Sequence, residues 1–459
     1  MSTRLSDTPK TPRFNALCEW LLWLEHLHPV EIDLGLERVN KVAIRLGFGA
    51  LMSKAPDDNV HLKQANRLGQ RPTIVSVAGT NGKGSCVAAL QALLLGRSQT
   101  VGSYTSPHLL AFNERIKIDG TPVSDELLCR AFSIIDEARG DLSLTYFEFA
   151  TLAAFVVFEQ AGVDYWILEV GLGGRLDAVN CVWADIAIVT SIALDHEAWL
   201  GNSREAIGEE KAGILRREAM FICGDTAPPL SLCSKSKQLK TRSYFIGTEF
   251  GVATEHGSVQ LFCSEGGDHV KHKCKQMPCL PLASLVTACQ AFLLLGFSAP
   301  TVLEWSTLET LTLIGRLSRH MRPDGQEYLL DVAHNGAASE LLVERLQGLV
   351  LGGNLSAIVA VMADKNLVEV FKPLVPVIAD WNLVCLKGNT RAAGIEEMIV
   401  ALKQLNVASD KVRCFGSVAE AMRFLGIARD ESSEQIFPVL VFGSFFTVAD
   451  ALAEIERKI

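Results

Sequence analysis

A short glycine-rich segment holds the residues with the clearest chemical potential. Residues 79–85 read GTNGKGS and follow an apolar, β-branched run. Its glycines allow successive backbone N–H groups to face one anion, and a helix that begins here adds the positive end of its dipole. Lys83 can then reach the outer phosphates of a nucleotide. The spacing differs from the common phosphate-loop pattern, because Gly84 separates Lys83 from Ser85. The alternative is a glycine-rich turn that binds nothing.

Three further polar side chains stand where apolar strands end. Ser106 follows the run 101–104, Glu169 lies at the end of the run 165–170, and His196 follows a later run. Open α/β sheets build their sites at the carboxyl ends of strands. A hydroxyl, a carboxylate and an imidazole there could complete the shell of a divalent cation near phosphates. Taken singly, each residue also has a purely structural explanation. Ser106 could cap a turn, Glu169 could pair with a neighbouring arginine, and His196 could be a hydrogen-bonded core residue.

The order of apolar runs predicts the fold that positions these groups. Strand, glycine loop and helix form the opening unit of a parallel α/β sheet, and further units follow to about residue 190. Apolar runs that do not alternate with polar residues indicate strands buried on both faces. From 217 to 279 short alternating segments predict a small antiparallel patch. A helix over 282–295 then precedes a second βα series, with strands at 328–332, 357–362, 383–386 and 439–442.

The predicted fold class is therefore α/β with two domains. Residues 1–316 would form a P-loop-type ATPase domain with a parallel sheet and a small antiparallel patch. Residues 317–459 would form a Rossmann-like α/β domain. The first seventy residues are expected to be helical.

Composition excludes several classes of function. The 459 residues carry a net charge of −9 and no long Lys/Arg block, which argues against nucleic acid as the main partner. The first residues lack the apolar core of a signal peptide, and the apolar stretch 149–158 is shorter than the ~18 residues a membrane span needs. Twelve scattered cysteines indicate reduced thiols in a cytoplasm. His272 stands near Cys274, but the lysines around them favour a solvated hairpin over a metal site.

An ordered set of motifs along the chain resembles that of a known protein family. Those motifs are VAGTNGKGS (77–85), TSPHL (105–109), LEVGLGGRLDA (168–178), TSIALDH (190–196), EKAGI (210–214), DVAHN (331–335) and GSF (443–445). They closely resemble folylpolyglutamate synthases, which belong to the Mur-ligase type of ATP-dependent amide-bond synthetases. The segments IDLGLERV (32–39) and LTYFEF (144–149) look like the bacterial bifunctional form, which is also a dihydrofolate synthase.

The resemblance implies a role for each matching residue. Catalytic residues would be Lys83, Lys211 and His334, with Lys211 at the position of the lysine that this family carbamylates. The nucleotide would contact Asn81, Gly82, Lys83, Gly84, Ser85, Arg316 and Asp331. Magnesium would be held by Ser106, Glu169 and His196. The pterin side of the substrate would contact Ile32, Asp33, Leu34, Thr145, Phe147, Leu176, Asp177 and Ala178, and the incoming glutamate would contact Ser444 together with His334. Ser284 departs from the family, which usually has an asparagine for the adenine there.

The implied activity is ATP-dependent ligation of L-glutamate to dihydropteroate and to folate glutamates through an acyl phosphate. Two Mg²⁺ ions would assist, and ATP would be the co-substrate. The partners would be dihydropteroate, reduced folates, L-glutamate and ATP, with neither nucleic acid nor membrane, and the protein would be a monomer. Three alternatives remain at this stage: a folylpolyglutamate synthase without the second activity, a Mur-type ligase acting on another acid, and a regulatory or motor ATPase.

Overall fold

The structure, a computed structural model, describes residues 12–53, 71–255, 258–265, 268–349, 355–427 and 438–457. The chain divides into two compact units. Unit 1 comprises the residues up to Ile192, Leu200–Gln276 and Leu282–Glu309. Unit 2 comprises Ala193–Trp199, Met277–Pro281 and the residues from Thr310 onward. The functional domain boundary near residue 316 stays a prediction.

Unit 1 contains an eight-stranded sheet. Its strands are β1 Thr73–Ala78, β2 Val101–Tyr104, β3 Ile116–Ile118, β4 Thr121–Pro122, β5 Tyr165–Glu169, β6 Ile186–Val189, β7 Met220–Cys223 and β8 Arg242–Phe245. They lie in the order β4-β3-β2-β5-β1-β6-β7-β8, and all pairs are parallel except those involving β3 and β4. Every residue of β1 is buried, as expected for a central strand covered on both faces.

The helices before residue 311 are α1 Leu17–Leu27, α2 Glu37–Arg45, α3 Lys83–Gly96, α4 Asp125–Arg139, α5 Tyr146–Ala161, α6 Glu197–Leu200, α7 Arg204–Ala212, α8 Leu230–Leu239, α9 Leu282–Leu294 and α10 Val302–Thr310. Most of them belong to unit 1, whereas the first three residues of α6 belong to unit 2. The expectation of a helical start is met by α1 and α2, while residues 54–70 and the first eleven residues lie outside the described ranges. Helix α5 is buried without interruption over residues 148–158, and this stretch is apolar on nearly every side, so it is a core helix.

The predicted antiparallel patch is shorter than expected. Strands β7 and β8 and helix α8 continue the parallel series of the main sheet. Only β9 Gly251–Glu255, β10 Ser258–Glu265 and β11 Asp268–Lys273 form the antiparallel sheet. The prediction was wrong over 217–245 because a run of four apolar residues has too little length to reveal its pairing partner.

Unit 2 contains a six-stranded sheet of the predicted Rossmann-like kind. Its strands are β12 Arg316–Met321, β13 Glu327–Asp331, β14 Leu355–Val359, β15 Ile378–Val384, β16 Val412–Phe415 and β17 Val439–Phe442. Their order is β12-β13-β17-β14-β15-β16, with β12 antiparallel and the others parallel. Its helices are α11 Gly336–Gly348, α12 Leu367–Phe371, α13 Ile395–Gln404, α14 Val418–Ile427 and α15 Phe445–Glu456. The predicted strand at 383–386 begins earlier, at Ile378.

Two expectations drawn from composition can be compared with the structure. Among the described helices, none combines the length and apolar character needed to cross a bilayer. Each of the 12 cysteines is a free thiol.

Candidate active site

The glycine-rich segment forms the connection between β1 and α3. Gly82 has a φ of +85°, a left-handed conformation that favours glycine, and α3 begins at Lys83. The Lys83 amine folds back over the loop and donates hydrogen bonds to Gly79 O at 3.1 Å and Thr80 O at 3.3 Å. Lys83 is therefore held at the helix N-terminus, where the predicted phosphates would lie.

Two hydroxyl residues that follow strand β6 anchor this loop. Thr190 Oγ1 donates to Asn81 O at 2.7 Å, and Ser191 Oγ accepts a hydrogen bond from Asn81 N at 3.0 Å. Gly79 has a φ of +149°, and a Cβ there would collide with Thr190 Oγ1. Thr190 and Ser191 thus position the loop, a role that the sequence analysis did not assign to them.

The start of α3 carries a buried hydroxyl and passes beside a carboxylate. Ser85 Oγ is buried and has no hydrogen-bond partner among the described residues. A Cβ placed on Gly84 would lie 3.5 Å from Glu169 Oε2, so the loop passes directly beside this carboxylate. Ser106 N donates to the same Glu169 oxygen at 3.2 Å. Oxygen donors of this kind fit a hard divalent cation such as Mg²⁺, and the orphaned hydroxyl of Ser85 supports that fit.

Lys211 lies beside the glycine turn that follows β5. Arg175 N donates to Glu210 O at 2.9 Å, and a Cβ on Gly174 would lie 3.2 Å from Lys211 Cα. Lys211 is only 4% exposed, which is unusual for a lysine. The structure thus places this lysine in the interior of unit 1, next to the segment that carries Glu169. Its carbamylation stays a prediction.

The predicted pterin residues before α2 join those at the start of α5 through an ion-pair network. Arg38 Nη1 lies 2.6 Å from Asp33 Oδ2, and Arg38 Nε lies 3.3 Å from the Glu148 carboxylate. Glu148 Oε2 accepts from Thr145 N at 2.8 Å, and Thr145 Oγ1 accepts from Glu148 N at 3.2 Å. Ile32 and Leu34 are half-buried beside Asp33. Arg38 and Glu148 were not in the predicted set, although Thr145 and Glu148 have the spacing of a capping box.

The remaining predicted pterin residues lie around the turn after β5. A Cβ on Gly171 would lie 2.5 Å from the Phe147 ring, so the ring packs on this backbone. Asp177 accepts hydrogen bonds from Leu172 N at 2.8 Å and Val179 N at 2.9 Å. Burial raises the pKa of Asp177 to about 6, against the opposing effect of these bonds. On either side of it in the chain, Leu176 is half-buried and Ala178 is buried.

Two of the three residues in the predicted metal set are in contact within unit 1. Ser106 and Glu169 are in contact in unit 1, whereas His196 belongs to unit 2. His196 has a φ of +51° and a side chain that is 38% exposed, and its backbone N donates to Asp195 Oδ1 at 2.9 Å. A non-glycine residue in this region costs free energy and is frequent at functional sites. The shared metal role of these residues stays a prediction.

Asp195 is the centre of a polar cluster in unit 2. Its Oδ2 accepts from Asn335 Nδ2 at 3.0 Å and lies 3.3 Å from His334 Nε2. Its Oδ1 lies 2.5 Å from Lys365 Nζ. On its other side, His334 Nδ1 lies 2.8 Å from Val332 O, so the ring is oriented between two acceptors. Sequence analysis missed the roles of Asp195 and Lys365. The polar segment DKN (364–366) after the apolar run of β14 was the available signal.

The predicted nucleotide residues of unit 2 lie on neighbouring strands. Arg316 of β12 and Asp331 of β13 are paired in register. Arg345 Nη1 lies 3.7 Å from Asp331 Oδ2, and Arg345 Nη2 donates to Arg316 O at 3.0 Å. Burial raises the pKa of Asp331, while Arg345 and Arg316 act in the opposite direction. Arg345 is a further member of this group that sequence reasoning did not find.

Ser444 is the N-cap residue of α15. Its hydroxyl accepts from Thr447 N at 3.0 Å and lies 2.7 Å from Thr447 Oγ1. It is therefore used to begin a helix, and its predicted contact with glutamate stays a prediction.

Comparison with known proteins gives the family. No family model matches the chain. A dihydrofolate synthase/folylpolyglutamate synthase of Escherichia coli (strain K12) is 36% identical over 451 residues, which is 98% of each chain. The Haemophilus influenzae protein of the same name is 34% identical over 465 residues, covering 96% of this chain and 98% of that one. The chain belongs to the dihydrofolate synthase/folylpolyglutamate synthase family.

Solved structures from this family have the same fold. Escherichia coli FolC in complex with DHPP and ADP has a TM-score of 0.83 and 35% identity, covering 97% of this chain and 99% of that one. The bifunctional enzyme from Yersinia pestis complexed with AMPPNP and Mn ion has a TM-score of 0.82 and 36% identity, with coverage of 98% and 100%. The predicted resemblance and the predicted α/β architecture are confirmed.

Ser284, which departs from the family pattern, makes a hydrogen bond to the glycine-rich loop. Ser284 of α9 is buried and donates a hydrogen bond to Gly82 O at 3.3 Å. The short side chain thus stabilises the carbonyl of the glycine that precedes Lys83, where the family usually has a longer amide.

Proposed function

We propose that this protein is a bifunctional ATP-dependent ligase. It joins L-glutamate to dihydropteroate, which forms dihydrofolate, and to folate glutamates. The observation that carries the proposal is the 36% identity over 98% of both chains to a bifunctional relative. The closeness of the loop to Glu169, the buried hydroxyl of Ser85 and the network of Asp33, Arg38 and Glu148 support it, because groups of these kinds suit a phosphate site and a polar substrate site within unit 1.

The reaction overcomes the low reactivity of a carboxylate. A carboxylate oxygen of the pteroate attacks the γ-phosphorus of ATP, ADP leaves, and an acyl phosphate forms. The α-amine of glutamate then attacks the acyl carbon and loses a proton, and inorganic phosphate leaves as the amide bond forms. Lys83 and the backbone N–H groups at the start of α3 stabilise the phosphate charge, which is an electrostatic contribution.

A divalent cation is part of this proposal. The Yersinia pestis relative was solved with Mn ion and AMPPNP. Ser106, Glu169 and His196 would hold Mg²⁺ here, with the unpartnered hydroxyl of Ser85 as a further oxygen donor and carbamylated Lys211 beside a second ion. When bound, the metal neutralises phosphate charge and orients the phosphoryl group.

Residues of unit 2 would bind the remaining groups. Arg316 and Asp331 contact the nucleotide, and His334 and Ser444 contact the incoming glutamate. The orientation of His334 by Asp195 at 3.3 Å supports its role, because a side chain with a fixed ring can position a substrate. The proposed location is the cytoplasm, which agrees with 12 free thiols.

An assay of ADP release tests the function. The purified protein with MgATP, L-glutamate and dihydropteroate should release ADP and form dihydrofolate, and leaving out any one substrate should stop ADP release. Replacing dihydropteroate by a reduced folate monoglutamate should give products that are heavier by whole glutamate residues.

The same assay separates the alternatives. Activity with the reduced folate but not with dihydropteroate would indicate a folylpolyglutamate synthase without the second activity. ADP release that needs neither acid nor amino acid would indicate an ATPase. No activity with either pteroate substrate would indicate a ligase for another carboxylic acid.

A further inference from the structure

A second cluster of potential ligands lies in unit 1 at the antiparallel sheet. It consists of His272, Cys274 and Glu309, whose ligand atoms all lie within 4.8 Å of one another. The sequence analysis expected His272 to be on a solvated hairpin. The hairpin of β10 and β11 is present, but only 15% of the His272 side chain is exposed. None of these three residues belongs to the proposed ligation site.

The two ligands on the sheet share one face because of strand geometry. His272 is in β11, and Cys274 N continues the ladder by donating to Val259 O at 3.0 Å. Residues two apart in an extended strand point to the same side. Histidine and cysteine are therefore presented together by a backbone that the hydrogen bonds of the sheet hold in place.

Helix α10 supplies the third ligand and fixes the imidazole. Trp305 and Glu309 are one helical turn apart on α10, so they lie on the same face. The His272 ring stacks on Trp305, with centroids 4.3 Å apart and planes at 3°. Its Nε2 then lies 2.7 Å from Glu309 Oε1. The imidazole is thus oriented before any ligand binds.

The Glu309 carboxylate is buried and further ordered by the backbone. Only 5% of Glu309 is exposed. Its Oε1 also accepts from Lys275 N at 3.1 Å, which is the kind of outer hydrogen bond that orients metal ligands in proteins. A bound cation would add a full opposite charge to this buried carboxylate, beyond the hydrogen bonds that already order it.

We propose that His272, Cys274 and Glu309 bind one Zn²⁺ ion, with water in the fourth position. The mixture of nitrogen, sulfur and oxygen donors suits Zn²⁺, whereas Mg²⁺ takes oxygen donors almost exclusively. Binding displaces the thiol proton of Cys274 and uses the lone pair of His272 Nε2, so the imidazole proton moves to Nδ1. The ion would tie the end of β11 to α10 and stabilise this part of unit 1.

Cobalt substitution tests the site in the full-length protein. The metal-free protein, in excess Mg²⁺ to occupy oxygen sites, is titrated with Co²⁺. The proposal predicts a thiolate-to-cobalt charge-transfer band in the near ultraviolet that saturates at one equivalent and disappears when Zn²⁺ is added. Absence of this band in the wild-type protein would overturn the proposal and would leave a histidine–glutamate pair beside a free thiol.

Matched variants decide which sulfur binds. Cys274→Ser should abolish the band, while Cys279→Ser, at an exposed cysteine nearby in the chain, should leave it intact. Glu309→Gln keeps hydrogen-bond acceptors for Lys275 and His272, and it should weaken Co²⁺ and Zn²⁺ binding by more than about tenfold, since loss of even an outer-shell partner costs 10- to 100-fold. A band that survives Cys274→Ser would overturn the assignment. Ligase activity is measured separately, so failure of the metal site and failure of the proposed function are distinguishable.

Discussion

The Nζ atom of Lys365 lies 2.5 Å from Oδ1 of Asp195, and both side chains are almost completely buried in unit 2. Burial by itself raises the pKa of Asp195. The hydrogen bond and charge of His334, with the charges of His196 and Lys365, outweigh that effect and hold the pKa of Asp195 well below its ordinary value. Asp195 therefore remains a carboxylate that orients His334.

Replacement of Lys365 by methionine should destabilise unit 2 by about 3 kcal/mol, because it leaves a buried carboxylate without its closest cation. Urea unfolding at neutral pH measures the change. Since the native pKa of Asp195 is lowered, the stability it contributes is present above its ordinary value of 3.8 and is lost as the pH falls below that value. The double variant Lys365→Met/Asp195→Asn should recover most of the loss. If Lys365→Met were as stable as the wild-type protein, the ion pair between Lys365 and Asp195 would be contradicted.

Replacement of Lys83 by alanine should lower the turnover of ATP-dependent glutamate ligation by about 10²- to 10³-fold, since one preorganised stabilising group is lost. Initial rates of ADP release at saturating substrate measure the effect. Lys403→Ala, at an exposed helical position, is the control and should change turnover little. Near-normal turnover in Lys83→Ala would show that the loop does not act on the phosphates.

Gly82→Ala should destabilise the protein and weaken ATP binding, because the residue has a φ of +85° and its new Cβ would lie 2.7 Å from Ser284 Oγ. Gly247→Ala is a matched control, with a φ of +87° and no atom within 4 Å of the new Cβ. Both variants should lose about 1 kcal/mol from backbone strain. Only Gly82→Ala should lose ATP affinity in calorimetry. Equal ATP affinity for the two variants would refute the role of the loop.

His108 should remain neutral in mildly acidic solution. Burial first, and then the charge of Arg115, lowers its pKa to about 4, and Arg115 Nε donates to His108 Nδ1 at 2.7 Å. The unfolded chain binds a proton on this histidine below its ordinary pKa of 6.5, so the free energy of unfolding should fall between pH 6.5 and about 4. Titration of the ring by NMR gives the pKa, and Arg115→Gln should raise it. A midpoint near 6.5 in the wild-type protein would contradict the buried geometry.

Local features of the molecule were readable from the sequence. The β-branched run before GTNGKGS became the buried strand β1, and Lys83 began a helix as predicted. Thr145 and Glu148 have the spacing of a capping box, and α5 begins there. Such features depend on residues a few positions apart, where backbone preferences and short-range hydrogen bonds decide the conformation.

Only the tertiary structure decided which distant residues meet. Lys365 is 170 positions from Asp195, and Glu309 is 37 positions from His272. Such contacts depend on how the strands and helices pack together. The four-residue run of β7, for example, predicts a buried strand but does not show which strand lies next to it. The amino-acid pattern thus established the glycine-rich loop between a strand and a helix, the fold class and the family. Packing of the sheets and helices determined the anchoring of His334 and the grouping of histidine, cysteine and glutamate at α10.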